Sequence, residues 1–306
     1  MLRSSIRRGA VTFDRWFSAR NTERLNAWVV RAAIFGLLLH LAVICVNDWL
    51  IEDPGMSEVV GHNVLSALYT PFSFVLFFEV LLMVVAIPHS FSRAIGVQFQ
   101  IMALIIMRSA FEELGGIQDL SRFADNFEIY SSMLFDLATG LLLFLVIGIY
   151  FRLTLIQRAA GEGVAVDDQA QHRLDRFIEL KKTIAAALAV LMVALAVITL
   201  VVWIATVTGL RASGPDLPNV NGVFYREYFS VMIFADVFVV LYSLREHSGF
   251  EVVFRNVGFV ISTIVMRVYF VSPHPYNLVA AISGVLFGTL TLAIAVAYVR
   301  LGSPKR

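Results

Sequence analysis

"IIMRSAF" at residues 105–111 and "TIVMRVYF" at 263–270 each set an arginine, Arg108 and Arg267, inside an otherwise apolar stretch. A cation in hydrocarbon is costly and needs a compensating partner. The surroundings of the two arginines match. Laid together, "HSFSRAIGVQFQIMALIIMR" (89–108) and "HSGFEVVFRNVGFVISTIVMR" (247–267) both begin His-Ser and end Met-Arg, the second being one residue longer. An acid stands in the preceding apolar run of each, Glu79 in "FFEVLL" (77–82) and Asp236 in "FADVFV" (234–239). Further on, "GIYFRL" (148–153) matches "VAYVRL" (296–301), so Tyr150 and Arg152 correspond to Tyr298 and Arg300. "ERLNAW" (23–28) loosely echoes "HRLDRF" (172–177). The order of these matches reads as one unit used twice.

The chain has 306 residues, of which 58% are hydrophobic and only 15% charged. Its mean hydropathy is +0.78. Long apolar runs account for this and place the protein in a bilayer. The first 28 residues are basic and polar, so the first apolar run reads as a retained anchor rather than a cleaved signal. The single cysteine, Cys45, allows no internal disulfide and no multi-thiolate metal site, and reads as a small buried apolar residue.

About eight membrane helices are expected, near 29–49, 71–88, 93–111, 130–152, 183–207, 228–244, 254–271 and 277–300. Pro71 and Pro88 bracket the second, and "SPHPY" (272–276) turns the chain between the last two. Lysine and arginine gather in the N-terminal stretch (Arg3, Arg7, Arg8, Arg15, Arg20, Arg24), in the central linker and at the C-terminus. The loop at 47–63 carries four acids and no Lys or Arg, and that at 112–128 has Arg122 alone. The positive-inside rule then puts both termini and the linker in the cytoplasm, which an even number of crossings satisfies. The expected architecture is an all-α integral membrane protein with two parallel four-helix repeats. Residues 1–28 form a basic, amphipathic cytoplasmic segment, 29–152 the first repeat and 153–182 a cytoplasmic linker with an amphipathic helix. Residues 183–300 form the second repeat and 301–306 a cytoplasmic tail.

Depth along the helices pairs Glu79 with Arg108 and Asp236 with Arg267, and Asp136 is a second candidate acceptor for Arg108. Such pairs either line an ion or proton path or fix helix register. A voltage sensor needs several arginines along one helix, and each copy here has one. His40 has no counterpart in the second half, and a neutral imidazole bonded to a neighbouring helix accounts for it. Haem ligation would need a second histidine at the same depth, whereas His89 and His247 sit at the inner boundary. Gln98, Gln100 and Asn256 are read as bridges between helices. Gly284 and Gly288 in "SGVLFG" (283–288) permit close helix approach, matched in the first copy by Asp136 and Gly140, and are expected to pack the halves together or support a homodimer. Phe13, Trp16, Phe17 and Trp28 lie among arginines, as in a helix resting on an anionic leaflet. Leu174, Phe177 and Ile178 mark a similar helix before the fifth span.

At the acid, the arginine and the "ISTIVMRVYFVSPHPYNLVAAISGVLFGTLTLAIAVAY" stretch (261–298), the chain resembles the phosphate-starvation-inducible protein E (PsiE) family. Its members are short four-helix membrane proteins. The resemblance covers the helical part of both halves; the first departs by a longer acidic loop before its fourth helix. It implies an inner-membrane protein of a family with no established biochemical activity.

No GxxxxGK[ST], HExxH or CxxC occurs, and "GEGVAV" (161–166) lacks the third glycine of a dinucleotide site. No paired nucleophile and base can be placed at one membrane depth, so no enzyme is expected, no cofactor, and no nucleic-acid partner. The expected partners are the lipid bilayer, a second copy of the chain, or another membrane protein. Two function classes stay open: an ion- or proton-conducting protein, and a non-catalytic scaffold, sensor or accessory subunit.

Overall fold

The computed structural model describes residues 2–47, 49, 64–115, 127–161, 168–207, 220–246 and 250–302. Among them there is no strand. The helices are α1 (Leu2–Trp16), α2 (Ala19–Val46), α3 (Tyr69–Ala86), α4 (Phe91–Gly115), α5 (Phe127–Gly161), α6 (Asp168–Val207), α7 (Val220–Glu246), α8 (Phe250–Arg267) and α9 (Tyr276–Gly302). Short 3-10 turns, Val64–Leu68 and Val268–Phe270, precede α3 and follow α8. Local chemistry sets several boundaries. Ser18 is extended and accepts a hydrogen bond from the Asn21 amide at 3.4 Å, so it closes α1 and caps α2. Pro88 has no amide to extend α3, and the prolines of 272–276 separate α8 from α9.

Seven helical segments are long and apolar enough to cross a membrane: Ala19–Val46, Val64–Ala86, Phe91–Phe111, Phe127–Ala159, His172–Thr199, Phe250–Phe270 and Tyr276–Arg300. Where the remaining span is expected, at 228–244, there is a shorter apolar helix, Tyr228–Leu244. Outer surfaces are unlike those of a water-soluble protein. Phe35, Phe144 and Phe234 are 67%, 73% and 75% exposed, which suits hydrocarbon and not water.

The expected linker is largely helix. α5 runs on to Gly161 and α6 starts at Asp168, because neither "RLTLIQRAA" (152–160) nor "HRLDRFIELKKTIAAAL" (172–188) contains a breaker. There is therefore no separate surface helix before the fifth span. Leu174 is exposed, whereas Phe177 is buried and stacks on Tyr242 at 5.7 Å. α1 also departs from a helix lying wholly on lipid. It docks on α6: Thr183 donates to the Ile6 carbonyl at 2.7 Å, Lys182 pairs with Asp14 at 2.8 Å, and Phe13 is buried while Trp16 stays exposed. Gly9 allows this approach, since a Cβ there would lie 2.6 Å from the Thr183 methyl. Trp28 belongs to α2, which begins ten residues before the expected start of the first span, as Ala19 against 29. Cys45 is exposed rather than buried.

The chain forms two compact units interleaved along the sequence. One comprises Met1–Arg15, Val84–Gln98 and Val146–Arg306; the other comprises Trp16–Met83 and Phe99–Leu145. In the first, α8 and α9 pack as an antiparallel pair. Ser262 donates to the Gly284 carbonyl at 2.7 Å, and a Cβ on Gly284 would fall 2.6 Å from the Met266 amide nitrogen. Gly284 thus serves contact between neighbouring helices of one half, not between halves, because its bare backbone faces α8. Gly288 is buried on the same helix. In the other unit Gly140 opposes Met107, with a Cβ placed 3.1 Å from its methyl.

Substituting Gly284 by alanine should lower thermal stability in detergent by about 1–3 kcal/mol through overpacking. Gly148→Ala should hold or gain about 0.5–1 kcal/mol, since nothing lies within 4 Å of its added Cβ. Equal melting temperatures for the two variants would contradict the close α8–α9 contact.

Candidate functional site: two buried acid–arginine pairs and a polar cavity

In the unit containing α2 and α3, the Arg108 Nε lies 3.6 Å from the Glu79 carboxylate, with the two side chains 7% and 10% exposed. The Arg108 Nη1 donates to the Phe72 carbonyl at 2.7 Å, and the guanidinium stands 6.0 Å from the centre of the Phe72 ring. A carboxylate, a carbonyl and an aromatic face together replace the water that a buried guanidinium has lost. Asp136 accepts a hydrogen bond from Ser109, the residue after Arg108, and Glu113 accepts one from Ser132. These bonds tie α4 to α5. His40 and Thr70 are hydrogen-bonded at 2.6 Å, joining α2 to α3, as expected of an imidazole that bridges helices.

The unit containing α6 to α9 holds the second pair more tightly. The Arg267 Nη1 lies 2.6 Å from the Asp236 carboxylate, and its own side chain is 1% exposed. Its Nη2 donates to the Gln98 Oε1 at 3.2 Å. Arg267 is therefore held from α7 and from α4 at once, bringing a residue of the first sequence half onto the cation of the second. Asn256 donates to Ser243 at 3.4 Å and accepts from Arg255 at 3.1 Å, bridging α8 to α7. Gln100, by contrast, is exposed on α4 and makes no such bridge: two residues after Gln98, it lies on another face of the helix. His247 falls outside the described residues.

Beside this pair is a small cavity with room for a water molecule or an ion of similar size. Gln98, Lys181 and Asp236 line it, together with apolar Phe91, Val239 and Val260. Lys181 is the functional candidate that the linker reading missed. It is 4% exposed. Its ammonium donates to the His89 carbonyl and stands 5.2 Å from the ring centres of both Phe91 and Phe177. A signal was present: Phe177, Lys181, Ala185, Leu188 and Met192 are all buried and follow helical spacing, so Lys181 continues the apolar stripe of α6. His89 lies in the turn between α3 and α4. Burial holds its imidazole below the usual range, aided by the cations Arg93 and Lys181 and opposed by a hydrogen bond to the Ala86 carbonyl.

Among the described residues no group of three His, Cys, Asp or Glu side chains converges to hold a metal ion. Fold and site together define an all-α, multi-pass membrane protein with charged side chains paired in its interior. Beyond that class, no family model, no curated protein and no solved structure matches the chain.

Removing one partner of a buried pair leaves the other charge uncompensated, at a cost of about 3–5 kcal/mol. Asp236→Asn and Arg267→Gln should each destabilise on that scale, and the double variant by less than their sum. Additive losses, measured by equilibrium unfolding in detergent, would contradict a direct pair.

Proposed function

We propose that this is a non-enzymatic membrane protein that conducts a small ion or a proton through polar side chains gathered where its two sequence halves meet. The observation that carries this reading is one site with two holds: Arg267 is bound by Asp236 and Gln98, beside a cavity that Lys181 also lines. Polar interiors are expensive in a membrane protein, and a path for charge is their commonest use. The cavity is water-sized, so any ion using it would pass stripped of most of its hydration shell.

The finer architecture belongs to the same proposal. The chain is a bacterial-type inner-membrane protein, resembling the phosphate-starvation-inducible protein E family, with two parallel four-helix repeats. Tyr228–Leu244 supplies the eighth crossing, and both termini are cytoplasmic. The recurrence of an acid–arginine pair at matching sequence positions supports the duplication. One detail has shifted: Met107 meets Gly140, whereas its counterpart Met266 meets Gly284, one turn from the aligned Gly288. The alternative is a non-catalytic component of another membrane complex, favoured by the small size of the cavity. In that case the pairs serve only to fix helix register.

Reporter fusions test the topology: a cytoplasm-active reporter should work at both ends, and an export-active phosphatase at the C-terminus would contradict eight crossings. Proteoliposome flux tests conduction. The parent should exceed protein-free vesicles for protons or for a small ion, with roughly tenfold or greater loss in Asp236→Asn and in the milder Gln98→Ala. The same leak in parent, variants and empty vesicles would remove the conduction reading and leave the component reading.

A further inference from the structure

Among the described residues, the interior around Asp236 carries more positive than negative charge. Asp236 compensates Arg267, but among the described residues Lys181 has no carboxylate partner: it meets the His89 carbonyl and two aromatic faces. Those contacts offset part of the desolvation of a buried ammonium and leave its net charge in place. A second group points the same way. Arg267 can only donate, so the oxygen of Gln98 must face it, which leaves the amide NH2 of Gln98 as a donor. Gln98 is 2% exposed and lines the same cavity as Lys181. Lys181 and Gln98 thus bring an ammonium and an amide NH2 to a cavity that Asp236, already paired with Arg267, also lines and whose other walls are apolar.

We infer that this cavity binds a small monovalent anion of halide size, held by Lys181 and Gln98. A cation there would meet the Lys181 ammonium, with the charge of the Asp236 carboxylate already taken up by Arg267. The Asp236 carboxylate also lines the cavity and can accept from a water molecule. Water would leave the excess positive charge unneutralised, since Asp236 already compensates Arg267 and the remaining walls are apolar. A monovalent anion accepts from both donors, tolerates apolar neighbours and neutralises the excess charge. Oxyanions such as sulfate or a lipid phosphate are too large for a space of this size. The binding site stands without transport; that the anion is also the conducted species rests on the conduction reading.

Full-length protein in detergent should broaden the chlorine-35 resonance of sodium chloride above a detergent blank. Bromide should reverse the broadening and gluconate should not. Lys181→Met should weaken chloride binding roughly tenfold or more, as expected for losing a charged donor. Gln98→Leu should weaken it less. Asp236→Asn should tighten it, because a competing negative charge is gone. Where Lys181→Met fails to elute as folded protein, Lys181→Gln and Gln98→Leu carry the test. No excess broadening in the parent, or equal broadening in folded Lys181 variants, would overturn the site and leave a cavity that is empty or holds water. Chloride binding without flux in vesicles would sink conduction alone; flux without chloride binding would sink the anion site alone.

Discussion

Two guanidinium groups lie in the apolar interior of this protein, and each is held against a carboxylate contributed by another helix. A lone arginine at such depth would carry a penalty that no single helix–helix contact offsets, so the acid must arrive with it. This requirement links the positions of neighbouring helices: α3 with α4 through Glu79 and Arg108, and α7 with α8 through Asp236 and Arg267. Dispersion between small and apolar side chains then fills the contacts. Among the tightest approaches are those between α8 and α9, where Gly258 meets Thr291 and the Gly284 backbone meets Met266.

The two pairs are not equivalent in their surroundings. Arg108 spreads its charge over Glu79 at 3.6 Å, the Phe72 carbonyl and an aromatic ring. Arg267 has the shorter contact to its acid and a neutral amide besides. A water-sized cavity lined by Gln98, Asp236 and the buried Lys181 adjoins the second pair.

Much of this was legible in the sequence, and what was missed has a physical reason. Membrane class follows from apolar run length, which the bilayer fixes, and seven of the expected spans meet that length. The acid and arginine partners could be read because few ionisable residues occur inside the runs, so few pairings were available. His40 as an interhelical bond follows from the same scarcity. The linker was misread because a charged stretch was taken as solvated. In fact α6 continues without a breaker through Lys181, whose flexible stem lets the ammonium reach carbonyl and aromatic partners inside the protein. Gln100 was placed inward with Gln98, although residues two apart on a helix do not share a face. For α1, composition revealed an amphipathic helix but not that protein, through Thr183 and Lys182, covers part of its apolar face.

Exchanging the charges tests the central claim most directly. Asp236→Arg and Arg267→Asp, made singly and together, would be compared by thermal unfolding of the full-length protein in detergent, with Glu79→Arg and Arg108→Asp as the parallel set. If each cation is tolerated because its acid compensates it, the single reversals lose most of the folded protein and each double reversal recovers much of it. Single reversals that melt with the parent, or doubles no better than the worse single, would mean that these charges do not hold the interior together.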